Sequence, residues 1–240
     1  MPIKGIINLP GDKSISHRAL MLASLTDGEC TLKNLSTGDD VERTRNCLSL
    51  CGIASRKKDT TVHIIGGSFK KPEIALDCGN SGTTVRLLAG LLAGRGIPAV
   101  FEGDDSLSKR PMKRIIDPLR NLGVEIESNN DCLPLKINPH TLTGITYTPT
   151  VASAQVKSSI LLAGLGAEGE TVVREDIKTR DHTEVMLMEL GAQIAVTEKI
   201  VVQRLQNPLI TFEITIPGDP SSAAFFGAAA AMLPNSDITI

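Results

Sequence analysis

Lys13, Ser14 and Arg18 lie in the run Pro10-Gly11-Asp12-Lys13-Ser14-Ile15-Ser16-His17-Arg18, a turn that leads into an apolar helix. A helix start presents unsatisfied N–H groups and attracts anions. Lys13 adds a point charge there, and Arg18, four residues after Ser14, falls on nearly the same helix face. Such a group suits a phosphate, a carboxylate or a sugar-like hydroxyl. Gly79-Asn80-Ser81-Gly82-Thr83-Thr84-Val85-Arg86 repeats the logic, with two glycines that allow close backbone approach to a ligand. In Asp105–Arg114 the Lys109-Arg110-Pro111 step predicts Pro111 at the first helical position and Arg110 beside the positive end of the helix dipole. A cation there is unfavourable unless an anion sits against it. Ser153-Ala154-Gln155-Val156-Lys157-Ser158-Ser159 offers hydroxyl and amide groups, and Lys178–Glu184 opens the last long helix with Arg180 free. Asp181 and Glu184 fit a capping box, and His182 reads as a surface residue. Each turn taken alone is equally compatible with a capped helix or a solvated basic face.

These turns recur because the chain repeats. Four segments share a short strand, a small polar turn and an apolar helix: 6–25, 74–93, 144–167 and 212–232. The first three continue through a strand and a second helix that ends in glycine. Gly52, Gly123 and Gly191 mark those ends, about 70 residues apart. Strand-like runs at 61–65, 133–137 and 200–203 close the units. Residues up to about 215 therefore predict three βαβαββ units in an α/β (α+β) fold. The first helix of each unit is apolar nearly all round and belongs in a core; the second carries more charge and belongs outside. The helix 221–232 of the fourth segment is almost wholly Ala, Phe and Met, and an apolar surface of that kind calls for a cover.

The totals exclude several classes. Six aromatic residues with no Trp supply little for stacking on bases, and a net charge of −2 creates no field to recruit nucleic acid or an anionic membrane. Five cysteines without a C-x-x-C predict neither a disulfide framework nor a zinc site, and no metal-binding motif, P-loop or nucleophile elbow occurs. Cys78 reads as a buried small hydrophobe. With no signal-peptide run at Met1-Pro2-Ile3-Lys4 and no long apolar stretch, the expectation is a reduced, cytoplasmic protein.

Taken in order, PGDKSISHRA, CGNSGTTVRLL, KRPMKRIIDPL, ASAQVKSS, RDHTE and IPGDPSSAAFF resemble the enolpyruvyl transferases, in the branch of the EPSP synthases (3-phosphoshikimate 1-carboxyvinyltransferases). Ala154 and the RDHTE run are similar to one subgroup of that branch. The related UDP-N-acetylglucosamine enolpyruvyl transferases match less well: they carry Lys-Asn at the first turn and a Cys before their Arg-Pro, where this chain has Lys13-Ser14 and no Cys.

The resemblance implies a fold of two domains, each of three βαβαββ units, with the active site in the cleft between them. This chain would supply the N-terminal domain as residues 10–217. Segments 1–9 and 218–240 would belong to the second domain, with crossings at Leu9-Pro10-Gly11 and Ile216-Pro217-Gly218. The implied reaction transfers the enolpyruvyl group of phosphoenolpyruvate to the 5-hydroxyl of shikimate 3-phosphate, without metal or organic cofactor. Lys13 would touch both substrates. Ser14 and Arg18 would bind the shikimate carboxylate and hydroxyls, Ser153, Ala154 and Gln155 its phosphate end, and Arg180 would close over it. Asn80, Gly82 and Arg110 would line the phosphoenolpyruvate site, with Gln155 nearby. The family's proton-transfer carboxylates lie in the second domain. The implied chain is thus an incomplete, substrate-binding half of the enzyme; the alternative is a noncatalytic shikimate 3-phosphate-binding half that needs a separate C-terminal chain in trans. Gly82 implies glyphosate sensitivity in the complete enzyme.

Overall fold

The computed structural model describes residues 1–240. In chain order the elements are β1 (Lys4–Ile6), α1 (Lys13–Ala23), β2 (Glu29–Lys33), α2 (Asp39–Leu50), β3 (Ala54–Lys58), β4 (Thr61–Ile65), β5 (Leu76–Asp77), α3 (Gly82–Gly94), β6 (Ala99–Glu102), a 3₁₀ turn (Leu107–Lys109) and α4 (Lys113–Asn121). The chain continues with β7 (Val124–Asn129), β8 (Cys132–Pro139), β9 (Thr146–Tyr147), α5 (Ala154–Gly164), β10 (Glu170–Val173), α6 (His182–Glu189), β11 (Ile194–Val196), β12 (Ile200–Gln203), β13 (Glu213–Thr215), α7 (Pro220–Met232) and β14 (Asp237–Thr239).

Three four-stranded sheets carry the repeat, ordered β13-β2-β4-β3, β5-β6-β8-β7 and β9-β10-β12-β11. In each, the first pair is parallel and the rest antiparallel. The closing strands alternate, as a one-sided sheet requires: Val62 and Ile64 of β4 are buried while Thr61 and His63 are not. One strand departs from the sequence reading. The leading strand of the first unit is β13, from residues 213–215, and the strand near Ile6 instead pairs in parallel with β14. The three units are present, but the first takes its leading strand from residues 213–215.

The first helices form the core. Ser16 to Ala23 of α1 are all buried, as are most residues of α3 and α5. Helices α3 and α5 touch backbone to backbone. A Cβ on Gly90 would lie 2.1 Å from the Ser159 carbonyl oxygen, and one on Gly94 would lie 2.6 Å from that of Leu162. Only glycine permits that approach. The second helices bury one face each: Val41, Thr44, Cys47 and Leu48 in α2, and Ile115, Ile116, Pro118 and Leu119 in α4. Their terminal glycines take the expected left-handed conformation, with φ of +88° at Gly52, +107° at Gly123 and +84° at Gly191. Cys78 is fully buried, as its apolar reading required.

Helix α7 buries none of its residues, and Phe225 is 80% exposed. The segment that links β1 to α1 and the one that leads into α7 run side by side: Gly11 bridges Gly218, Asp12 N donates to Pro217 O at 2.8 Å and Asp219 N to Pro10 O at 3.0 Å. No helix is long and apolar enough to cross a membrane.

Candidate functional site

Helix α1 begins at a tight crossing. A Cβ on Gly11 would sit 1.9 Å from the Asn34 carbonyl oxygen, so the turn needs glycine. Asp12 caps the helix by accepting from Ile15 N at 2.8 Å. This leaves Lys13 and Ser14 at the helix start, with Lys13 Nζ 3.0 Å from Asp40 Oδ2 and its side chain half exposed. One and a half turns on, Arg18 is only 4% exposed. Its guanidinium donates to Ser14 O at 2.9 Å, to Ser158 Oγ at 2.8 Å and to Thr183 Oγ1 at 2.7 Å. Burial pushes its pKa down to about 10, and Glu184 opposes that shift, so the group stays charged at neutral pH.

The third unit faces the first across a cavity of about 670 Å³. Ser153 caps α5 by accepting from Val156 N at 3.4 Å, which brings Ala154 and Gln155 to the cavity wall. From the loop before α6, Arg180 reaches back and donates to Ser14 Oγ at 3.2 Å. Lys13, Ser14, Arg18, Ser153, Ala154, Gln155 and Arg180 all line this one cavity. Only one of the twelve lining residues is hydrophobic. Three cations, several hydroxyls and two helix N-termini therefore face the same space, which is an arrangement for holding a polyanion with hydroxyl groups.

Asn80, Gly82 and Arg110 form a second group beside this cavity rather than in its wall. Asn80 Oδ1 accepts from Arg110 Nη2 at 2.5 Å, and its amide nitrogen donates to Asp104 at 2.8 Å and 3.1 Å. The Leu107 N–H and the Asn80 amide hold the Asp104 carboxyl below its ordinary range. A Cβ on Gly82 would meet Arg86 Nη1 at 2.9 Å and Arg110 Nη1 at 3.7 Å. The two groups join through Gln155, which accepts from Arg86 Nη1 and donates to Thr83 Oγ1, both at 2.8 Å. Burial, followed by repulsion from Arg110 and Arg114, lowers the Arg86 pKa. Three arginines crowd this flank, and a second anion would relieve them.

Two local readings are corrected. Pro111 does not start α4: Met112 is the N-cap and the helix begins at Lys113. Arg110 ends the 3₁₀ turn, its N–H bonded to Leu107 O, and is held by Asn80 instead of opposing the α4 dipole. Asp181 and Glu184 make no capping box, because Asp181 has no side-chain cap bond. Glu184 turns inward, is buried and pairs with Lys157 Nζ at 2.6 Å. A buried cation recruited the acid that the helix start would otherwise have kept.

Asp12, Thr83, Thr179, Asp219 and Ser221 also line the cavity. The repeated Pro-Gly-Asp at 10–12 and 217–219 was the available signal for the two aspartates. Thr83 and Thr179 carried no signal of their own. Lys157 and Thr183 were also missed as supports. Lys157 stands among Gln155, Ser158 and Ser159, where a polar residue at a helix start carries no signal of burial.

A family model described as EPSP synthase (3-phosphoshikimate 1-carboxyvinyltransferase) matches residues 1–240. The 3-phosphoshikimate 1-carboxyvinyltransferase of Bacillus subtilis (strain 168) is 45% identical over 99% of this chain and 57% of its own length. That of Xylella fastidiosa (strain Temecula1) is 46% identical over 100% of this chain and 54% of its own. A solved structure of EPSP synthase from Acinetobacter baumannii superposes with a TM-score of 0.90 at 42% identity, covering 99% of this chain and 55% of that one. The chain spans little more than half the length of the curated relatives it matches.

Proposed function

This chain belongs to the EPSP synthase family, and on that premise we propose that it supplies the shikimate 3-phosphate-binding half of an enolpyruvyl transferase. The complete reaction moves the enolpyruvyl group of phosphoenolpyruvate to the 5-hydroxyl of shikimate 3-phosphate. The hydroxyl oxygen attacks C2 and gives up its proton while C3 gains one; C3 then loses a proton as phosphate leaves, which restores the double bond. Both substrates are polyanions, so fixed cations must offset their repulsion and hold the reacting atoms together.

One observation carries this reading. Seven residues from two repeat units, Lys13, Ser14, Arg18, Ser153, Ala154, Gln155 and Arg180, line a single polar cavity. In the proposed assignment Ser14 and Arg18 take the shikimate carboxylate and hydroxyls. Ser153, Ala154 and Gln155 take its phosphate end, and Arg180 covers it. Lys13 spans both substrates. Asn80, Gly82 and Arg110 receive phosphoenolpyruvate, and Gln155, bonded to Arg86 and Thr83, stands between the two sites.

Residues 10–217 would then be one domain, while β1, α7 and β14 join the second. The exposed apolar surface of α7 and the paired crossings at Gly11 and Gly218 support that division. The proton-transfer groups would come from the second domain, supplied in trans or by further chain. Calorimetric titration of the 240-residue chain with shikimate 3-phosphate tests the reading. Weak binding is expected, with no phosphate release from phosphoenolpyruvate until a C-terminal half is added. Absence of binding, or turnover by this chain alone, refutes it.

A further inference from the structure

Lys157 sits where the site's supports converge. Its side chain is 1% exposed, on α5 between Val156 and Ser158 and two residues after Gln155. The ammonium pairs with Glu184 of α6 at 2.6 Å and with Glu175 at 2.8 Å, and it lies 3.5 Å from the Thr179 carbonyl oxygen. Glu175 also accepts from the Thr179 hydroxyl. Residues 174–181 form neither helix nor strand, and Ile177, Lys178 and Arg180 are exposed. This loop carries Thr179 and Arg180 into the cavity wall. Its side-chain hydrogen bonds are those that join Glu175, Thr179 and Lys157, and the one from Arg180 to Ser14.

A lysine and two acids buried together are costly to desolvate, and an apolar trio of similar size would stabilise the fold at least as well. The arrangement is therefore better explained by what it holds. We propose that Lys157 and Glu175 are positioning residues that tether the 174–181 loop to α5 and so hold Arg180 over the cavity next to Ser153, Ala154 and Gln155. The tether makes the phosphate-binding end of α5 and its covering arginine one rigid unit. Glu184 fixes the ammonium from the other side and serves as its charge partner. The inference deepens the shikimate 3-phosphate reading and depends on it for the identity of the ligand.

The test uses Glu175→Ala in the 240-residue chain. This change leaves Lys157 paired with Glu184, so no buried charge is stranded and the melting temperature should hold. Two readouts follow. Trypsin should cut after Lys178 or Arg180 faster than in the parent, whatever the cavity binds. Affinity for shikimate 3-phosphate should fall about tenfold, as loss of a charge-assisted contact implies. Arg180→Ala should cost a similar factor, and the double variant little more than either alone. Glu175→Gln, which keeps an acceptor for Lys157 and Thr179, should restore most of the binding. Unchanged trypsin cutting in Glu175→Ala overturns the tether. Additive losses in the double variant overturn its link to Arg180. If the parent chain binds no shikimate 3-phosphate, the functional reading fails, and the trypsin comparison still decides the tether.

Discussion

The Arg18 guanidinium and the Thr183 hydroxyl meet at 2.7 Å although 165 residues separate them in the chain. Ser158 completes the contact, bonded to both Arg18 and Thr183 at 2.8 Å and 2.7 Å. One buried cation thus joins α1 of the first unit to α5 and α6 of the third. Replacing Thr183 with Val should leave the Arg18 Nε–H buried without an acceptor. The expected loss is about 2 kcal/mol of unfolding free energy in urea titration. A loss within about 0.5 kcal/mol, the range of an ordinary surface change, would show that Arg18 finds another partner.

Gly82→Ala separates stability from binding. The added Cβ would lie 2.9 Å from Arg86 Nη1, the far end of a flexible side chain, so the backbone need not move. Alanine also restricts the unfolded chain more than glycine does and fits the helical backbone at the first position of α3. The melting temperature should therefore hold or rise. Displaced Arg86 would release Gln155, and binding should weaken at the Asn80–Arg110 flank. In an enzyme assembled with a C-terminal half, glyphosate should compete with phosphoenolpyruvate in the parent and compete less well in the variant. Steady-state inhibition measures both, and equal competition would remove Gly82 from the proposed site.

Gly90→Ala should behave in the opposite way. Here the clash, at 2.1 Å, is with the Ser159 carbonyl oxygen, and helix backbone cannot step aside. Overpacking at such a site costs about 1–3 kcal/mol and sometimes more. The variant should lose soluble yield or shift its urea midpoint strongly. A near-normal midpoint would mean that α3 and α5 can separate without penalty.

Much of this architecture was legible because it is repetitive and periodic. The β4 and β12 boundaries match the sequence runs at 61–65 and 200–203, and the glycine caps fall where a left-handed residue was needed. The strand near Ile6 was placed in the wrong sheet because β-strand pattern identifies a strand and not its partner. β13, far along the chain, fits the same parallel slot beside β2. The site's cations were readable because they lie in or beside short polar turns next to helices, Lys13 at the start of α1, Arg18 one turn after Ser14 and Arg180 just before α6, where local sequence carries the signal. Their supports were not. Thr183 and Glu184 act across the fold on Arg18 and Lys157, and a local capping rule competed for Glu184 and lost to a buried ammonium.

Acid should destabilise the chain through His17. The imidazole is fully buried on α1 and its Nδ1 lies 2.7 Å from Thr44 Oγ1, which meets Thr84 Oγ1 at 2.8 Å. Burial lowers its pKa from 6.5 to about 3, with Asp40 opposing and Lys13 and Arg18 reinforcing the shift. In the unfolded chain the ring protonates near pH 6.5, while in the folded chain it stays neutral. Its effect on stability is therefore nil above that pH, and stability falls as pH drops from 6.5 toward 3. The slope is about 1.4 kcal/mol per pH unit for one such group. His182, lowered by burial and then by Arg18, adds to the same trend. The lowered carboxyls of Glu42, Asp104 and Glu125 act only at more acidic pH, so the interval from 6.5 to 5 isolates the histidines. Urea titrations across that interval should show the decline in the parent and a much shallower one in His17→Gln, whatever its stability at pH 7.5. Parallel slopes in the two proteins would mean that His17 takes up its proton without unfolding, and that the Thr44–Thr84 contact tolerates a charged ring.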